Sequence, residues 1–413
     1  MPKVTPFQCI RPVPMLAARV AALPYDVYNR KEALAEVNRE PLSFLRVDRA
    51  ETQFADDVDT YDPRVYAKAR ELLDSMIAEG TFIMEDTPCY YLYELTMDGR
   101  SQTGLVACSS VDDYQSQIIK KHENTRADKE LDRIRHVDAT DAHTGPIFLV
   151  YRSQKEIREI VENVKKQTPL YDFVSTDSIT HRVWRIADPD RTARLEKLFG
   201  EIPCTYIADG HHRCASAVKV GLNRRQMHPG YTGREEYNRF LSVLFPDDQL
   251  YIMPYNRVVK DLNQMTAGEF LKAVEKAGFS IECKGKEPVS PAKKGTFGLY
   301  LSGCWYLLTA DSSLLSPDPV KGLDVSILQD NLLGPVLNIN DPRTDSRIDF
   351  VGGIRGLAEL ERRVGDDMAA AFSMYATSIP ELLAVADAGL LMPPKSTWFE
   401  PKLRSGLFIH RLS

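Results

Sequence analysis

Residues 204–221, CTYIADGHHRCASAVKVG, decide how this chain reads. Cys204 to Ala208 is a β-rich apolar run, Asp209-Gly210-His211-His212 is a polar loop, and Arg213 to Val220 is a run of small helix formers that Gly221 is expected to stop. A strand that turns directly into a helix brings several backbone N–H groups to the helix's positive end, where they can hold a phosphate or carboxylate. Gly210 would let the backbone approach such a ligand closely, Arg213 adds a bidentate cationic fork, and His211 and His212 add donors. The bland alternative is a well-capped helix with solvent-facing histidines. Two histidines between a glycine and an arginine at such a turn are costly decoration, so the loop reads as an anion cradle with Asp209 as its own carboxylate.

Outward from the loop, the segment 121–136, KHENTRADKELDRIRH, is the second candidate. Read as a helix from about His122, it places His122, Arg126, Lys129, Arg133 and His136 in one stripe, with Ala127, Leu131 and Ile134 in an adjoining apolar stripe. Lys129 and Arg133 read as a solvated face neutralised by Asp128, Glu130 and Asp132. His122, Glu123 and Arg126 read as a site, because a His-Glu pair beside an arginine is expensive to bury without a task. The two segments are expected to share a cleft. The loop has only Asp209 as a base, whereas His122 and Glu123 offer acid–base groups and Arg126 offers a further phosphate contact. The segment lacks the second histidine of H-E-x-x-H, so a zinc protease is excluded, and a cage of His122, His143, His211 and His212 is disfavoured against Mg²⁺ held by carboxylates and substrate oxygens. Metal ligands stay unassigned.

Four weaker candidates remain. Asp26, in Pro24-Tyr25-Asp26-Val27, precedes a helix from Lys31 to Val37 capped at Asn29. Arg100 follows the Met97-Asp98-Gly99 hairpin turn. Lys395 and Ser396, after Pro393-Pro394, could bring a lysine and a hydroxyl to a phosphate, a surface loop being equally consistent. Gly352-Gly353 after an apolar run marks a turn rather than a nucleotide loop.

The remaining chain sets these motifs in an α/β or α+β protein with mixed sheets. Its 413 residues suffice for two or three units. Helix starts stand at Asp62-Pro63, Ser153 with Glu156, Asp188-Pro189 and Thr266 with Glu269; hairpins stand at residues 90–109 and 296–309. A soft boundary near 245–265 separates a region 1–250, which carries both motifs, from an α/β region 251–413 whose Pro-Pro-Lys-Ser-Thr loop is expected to return to the site. A net charge of −6 has the wrong sign for wrapping nucleic acid, and no apolar run is long enough for a membrane span. Seven cysteines without a C-x-x-C pair suit reduced thiols, and the opening MPKVTPFQCIRPVP lacks an export signal, so a cytoplasmic setting is expected. Homo-oligomerisation is left open.

The loop resembles the GxxR phosphate-binding turn of the ParB/sulfiredoxin superfamily, and its Asp-Gly-His-His-Arg form is similar to that of the free serine kinases in it. Pro24 to Val27, Asn38 to Val47, Met97 to Ala107, Lys121 to Arg135, Thr144-Gly145-Pro146, Ala208 to Arg213 and Pro394 to Thr397 resemble a widespread bacterial and archaeal family filed as a domain of unknown function. The superfamily resemblance implies a phosphate-binding α/β core. For the kinase branch it implies transfer of a phosphoryl group from ATP or ADP, with Mg²⁺, to a small hydroxyl compound such as serine. A phosphatase at the same site and a non-catalytic nucleotide-binding regulator are the rivals. In the enzyme readings, Glu123 or Asp209 takes the proton, and His211 assists.

Overall fold

Asp98 and Gly99 both have positive φ (50° and 77°), as a tight hairpin turn requires, and they join the strands Tyr90–Met97 and Arg100–Ser110. This hairpin is the middle of a nine-stranded sheet ordered Ile119–Lys120, Thr205–Asp209, Ile147–Tyr151, Arg239–Pro246, Arg100–Ser110, Tyr90–Met97, Thr180–Ile186 and Tyr171–Val174, with Val4–Thr5 paired beside Arg100–Ser110. Thr205–Asp209 runs parallel to Ile119–Lys120, and Arg239–Pro246 runs parallel to Ile147–Tyr151; the other pairings are antiparallel. Leu92, Leu105, Leu149, Ile207 and Phe240 pack with Ile157, Leu195, Phe199, Cys214 and Val218 in its core. The expected α/β class with mixed sheets is the class found, without a closed barrel.

The computed structural model describes all 413 residues and divides into Met1–Leu250 with Pro401–Ser413, and Tyr251–Glu400. In the first unit, Asp62 accepts from the Arg64 N–H and Pro63 opens the helix Pro63–Ala78, which buries Val65, Ala69, Leu72 and Met76 against Phe44, Leu45 and Phe82. The second unit has a six-stranded antiparallel sheet and the helix Ala267–Lys276, whose start is the expected box of Thr266 and Glu269. No helix is long and apolar enough to cross a membrane.

Three local expectations are corrected. The second motif's helix is Ala127–Thr140, so His122 to Arg126 form the loop before it. That helix buries Asp132, Arg133, His136 and Thr140 and leaves Leu131 47% exposed, the reverse of a solvated charged face over an apolar stripe. Ser153 does not cap the next helix; its N–H donates to Asp247, and the helix Lys155–Lys165 starts after Gln154.

A further correction concerns Gly221, which does not end its helix: His211–Met227 runs through it. A Cβ at Gly221 would lie 2.4 Å from the Tyr237 carbonyl oxygen, so the glycine allows close approach of two backbones. Gly221→Ala is therefore expected to destabilise the protein. Overpacking costs about 1–3 kcal/mol, and alanine's helix propensity returns only about 1, a net loss readable as a lower denaturation midpoint. A raised midpoint would defeat this account.

Candidate functional site

A register shift between Ile207 and Asp209 leaves Ala208 bulged out of the pairing with Ile147–Tyr151, a device that re-aims the side chain at a strand end. Asp209 then lies 3.4 Å from Lys402 Nζ and 3.7 Å from Arg213 Nη2. Gly210 follows at φ 86°, where a side chain would be strained, and is the N-cap of His211–Met227. No side chain caps that helix, so first-turn amides keep their capacity for a ligand. The glycine also makes room for Arg213: a Cβ at Gly210 would sit 3.1 Å from the guanidinium, whose Nη1 donates to the Pro146 carbonyl at 2.6 Å.

The two motifs meet here. Glu123 Oε2 is 3.8 Å from His211 Nδ1, and the His122 ring stands edge-on to the His211 ring at 4.5 Å between centroids. The Arg126 backbone N–H donates to His212 Nε2 at 3.0 Å, and Ser216 Oγ donates to the Glu130 carbonyl at 3.0 Å, tying the loop and its helix to His211–Met227. Both His122 and His211 are buried, yet neither ring nitrogen of His122 nor Nε2 of His211 has a hydrogen-bond partner. Buried polar atoms of this kind call for a ligand or water.

Electrostatics sorts the roles. Burial pushes His122 down to about 4, against the opposing charge of Asp209, and burial together with the neighbouring His122 pushes His211 well below the usual histidine range. Both rings are thus neutral near pH 7 and act as hydrogen-bonding groups rather than cations. Burial raises Asp209, but Lys402 foremost, then Arg213 and His211, hold it well below the usual carboxylate range. An acid that weakly basic is a poor proton acceptor, whereas Glu123, 40% exposed, faces an imidazole.

The other candidates lie as follows. The Arg126 side chain is exposed and pairs with Asp128 at 2.9 Å. Asp26 is exposed on the turn Tyr25–Val27, and its neighbour Tyr25 lies under the Arg133 guanidinium, 3.9 Å from ring centroid to Cζ. Arg100 is exposed at the hairpin turn and donates to the Gln249 carbonyl. Lys395 and Ser396 belong to the unit Tyr251–Glu400, with Lys395 Nζ 5.6 Å from the Tyr255 ring and Ser396 Oγ donating to the Pro393 carbonyl at 2.6 Å.

Sequence reasoning did not find the pocket to which Tyr25, Asp48, Arg133, His136, Thr144 and Arg213 contribute. Thr144 Oγ1 donates to Asp48 Oδ1 at 2.8 Å, Arg133 pairs with Asp132 at 2.7 Å, and His136 Nε2 is 4.0 Å from Asp48 and 3.2 Å from the Val47 carbonyl. The available signal was the i, i+4 spacing of Asp132 and His136 on one helix face. No group of three or more His, Cys, Asp or Glu side chains is arranged to hold a metal ion.

Fold and site together define a mixed α/β protein with an uncapped, histidine-lined loop at a helix N-terminus. Over residues 4–326 the chain matches the family described as protein of unknown function (DUF1015), and it belongs to that family. A free serine kinase in complex with AMP is similar in structure at TM-score 0.35 and 15% identity, over 74% of this chain and 92% of that one. A conserved hypothetical protein from Pyrococcus furiosus is similar at TM-score 0.35 and 14% identity, over 74% and 94%. C-terminally truncated SbnI from Staphylococcus aureus is similar at TM-score 0.37 and 10% identity, over 73% and 85%. A search of curated proteins finds no match.

Proposed function

We propose that this chain is a nucleotide-dependent phosphotransferase acting on a small hydroxylated metabolite, serine being one candidate acceptor. The observation that carries the reading is the Glu123 carboxylate 3.8 Å from His211 Nδ1, beside unpartnered buried nitrogens of His122 and His211 at an uncapped helix N-terminus. Phosphoryl transfer asks mainly for positioning and charge stabilisation. The loop amides with His211, His212, His122 and Arg213 would hold phosphoryl oxygens, and Glu123 would accept the hydroxyl proton. ATP or ADP as donor rests on the loop's resemblance to the free serine kinases. Mg²⁺ would neutralise phosphate charge, with the ionised Asp209 and substrate oxygens as its ligands.

Phosphorus NMR of the purified chain with ATP, ADP or pyrophosphate, Mg²⁺ and a panel of hydroxy amino acids tests this. Transfer that depends on an added hydroxyl compound is expected. Release of inorganic phosphate alone would favour a phosphatase, and binding without product a regulatory module. Arg213→Ala is expected to weaken nucleotide affinity roughly 10- to 100-fold by calorimetric titration, since one charge-assisted hydrogen bond is worth about 1.5–3 kcal/mol. Wild-type affinity in that variant would show that the loop is not the anion cradle.

A further inference from the structure

His143 and His410 are direct cross-strand partners where Ala142–His143 pairs with Ile409–Arg411, so their side chains leave the same face of the sheet. Their rings stack 5.5 Å apart, with Nδ1 to Nδ1 at 3.2 Å. On one side, His410 Nε2 is 2.8 Å from Glu236 Oε2, a carboxylate 43% exposed to solvent. On the other, His143 Nε2 is buried without a partner, and His143 lines the pocket of Tyr25, Asp48, Arg133, Thr144 and Arg213. The three groups connect that pocket to the surface.

Two nitrogens at hydrogen-bond distance share one proton, and this links the tautomers of the two rings. Burial raises Glu236, but its bond to His410 holds it below its ordinary value, so the carboxylate is ionised and His410 Nε2 donates to it. When His410 is neutral, its Nδ1 is bare, His143 Nδ1–H donates to it, and His143 Nε2 is a lone pair at the pocket. When His410 is a cation, its Nδ1–H donates to His143 Nδ1, and His143 Nε2 carries the hydrogen. The two states differ by one proton.

We propose that His143, His410 and Glu236 form a proton relay, in which His143 Nε2 takes a proton from a hydroxyl or ammonium group of a ligand bound in the pocket. A new N–H bond forms at His143 Nε2 and the Nδ1–H bond breaks as that proton moves to His410 Nδ1. The positive charge comes to rest beside the Glu236 carboxylate, and the proton leaves from there to water. Burial, His410 and Arg224 push His143 well below the usual histidine range. An imidazole unable to keep a charge can still pass one on. Arg224 is itself paired with Asp138 and Asp141, Arg239 Nη1 lies 3.8 Å from Glu236 Oε1, and Cys9 faces His410 from the opposite strand. The Phe7 ring stands edge-on to His410 at 5.7 Å. The charged and titratable groups on the pocket side are Tyr25, Asp48, Arg133, His136 and Arg213. The relay goes beyond the loop reading and does not depend on Glu123 being a base.

Long-range ¹H–¹⁵N correlation spectra of the full chain labelled at histidine test it, with His143→Gln for assignment. Above neutral pH, His143 is expected as the Nδ1–H tautomer with Nε2 bare. Glu236→Leu removes the acceptor that fixes His410 Nε2–H, and should let His410 carry its hydrogen on Nδ1, donate to His143 Nδ1 and move the hydrogen of His143 to Nε2. An Nε2–H tautomer of His143 in the wild type above neutral pH overturns the relay, as does a His143 tautomer unmoved by Glu236→Leu. The wild-type spectra decide the matter by themselves if the variant fails to fold.

Discussion

Glu123→Gln is expected to lower kcat for phosphoryl transfer by about 10²- to 10⁴-fold, the contribution of a positioned general base. The carboxylate is 40% exposed, so the substitution leaves the fold and nucleotide affinity near wild type. His211→Gln removes the ring that faces Glu123 and should cost a similar factor. The double variant is the sharper measurement. Groups 3.8 Å apart that act on one proton should be strongly non-additive, with the double variant hardly slower than the worse single one. Additive losses would place the two residues in different functions. The pH profile supplies a second check, because the rising limb of kcat should disappear in Glu123→Gln. Asp209→Asn should leave that limb in place: Lys402 and Arg213 already answer this carboxylate, and it takes no proton in the working range.

The parts of the fold that were legible in sequence are those whose causes are local. Asp62-Pro63, Asp188-Pro189 and Thr266 with Glu269 start helices because a side-chain oxygen meets amides two or three residues on, and Asp98-Gly99 turns because both residues tolerate positive φ. The strand-to-helix turn at Gly210 was legible for the same reason, although Asp209 ends the strand and the helix starts at His211, so that His211 and His212 stand on its first turn rather than in a loop. The failures share an opposite cause. Gly221 looks like a stop until Tyr237 is seen lying against it, and the segment at His122 looks helical until the Arg126 N–H is seen spent on His212. In Pro24 to Val27 the carboxylate drew attention, yet Tyr25 lines the pocket, because its partner Arg133 lies on a distant helix. Arg133 read as solvated since Asp128, Glu130 and Asp132 sit beside it in sequence. Its burial follows from Tyr25 and Asp48, which no local pattern links to it.

That burial makes Arg133 the position where a stability change is expected to be largest. Its guanidinium pairs with Asp132 at 2.7 Å, covers the Tyr25 ring and lies in the pocket with Asp48, and its side chain is 10% exposed. Arg133→Met keeps much of the volume and removes the cation. Asp132 keeps a hydrogen bond from Tyr66 at 2.9 Å and Asp48 one from Thr144 at 2.8 Å, but the strongest counter-charge between them is gone. Breaking a buried pair from one side costs about 3–5 kcal/mol, since the surviving carboxylate stays desolvated and uncompensated. At roughly 2–4 °C per kcal/mol, that is a fall in Tm on the order of 10 °C. His136, which burial and Arg133 now push below its ordinary value, becomes the remaining group able to answer Asp48. Two results would identify the uncompensated charge as the cause. Adding Asp132→Asn should recover part of the loss. Arg133→Lys, which restores a cation beside Asp132, should also lose less than Arg133→Met. A loss below about 1 kcal/mol at neutral pH would instead mean that Arg133 contributes no more than a solvated ion pair.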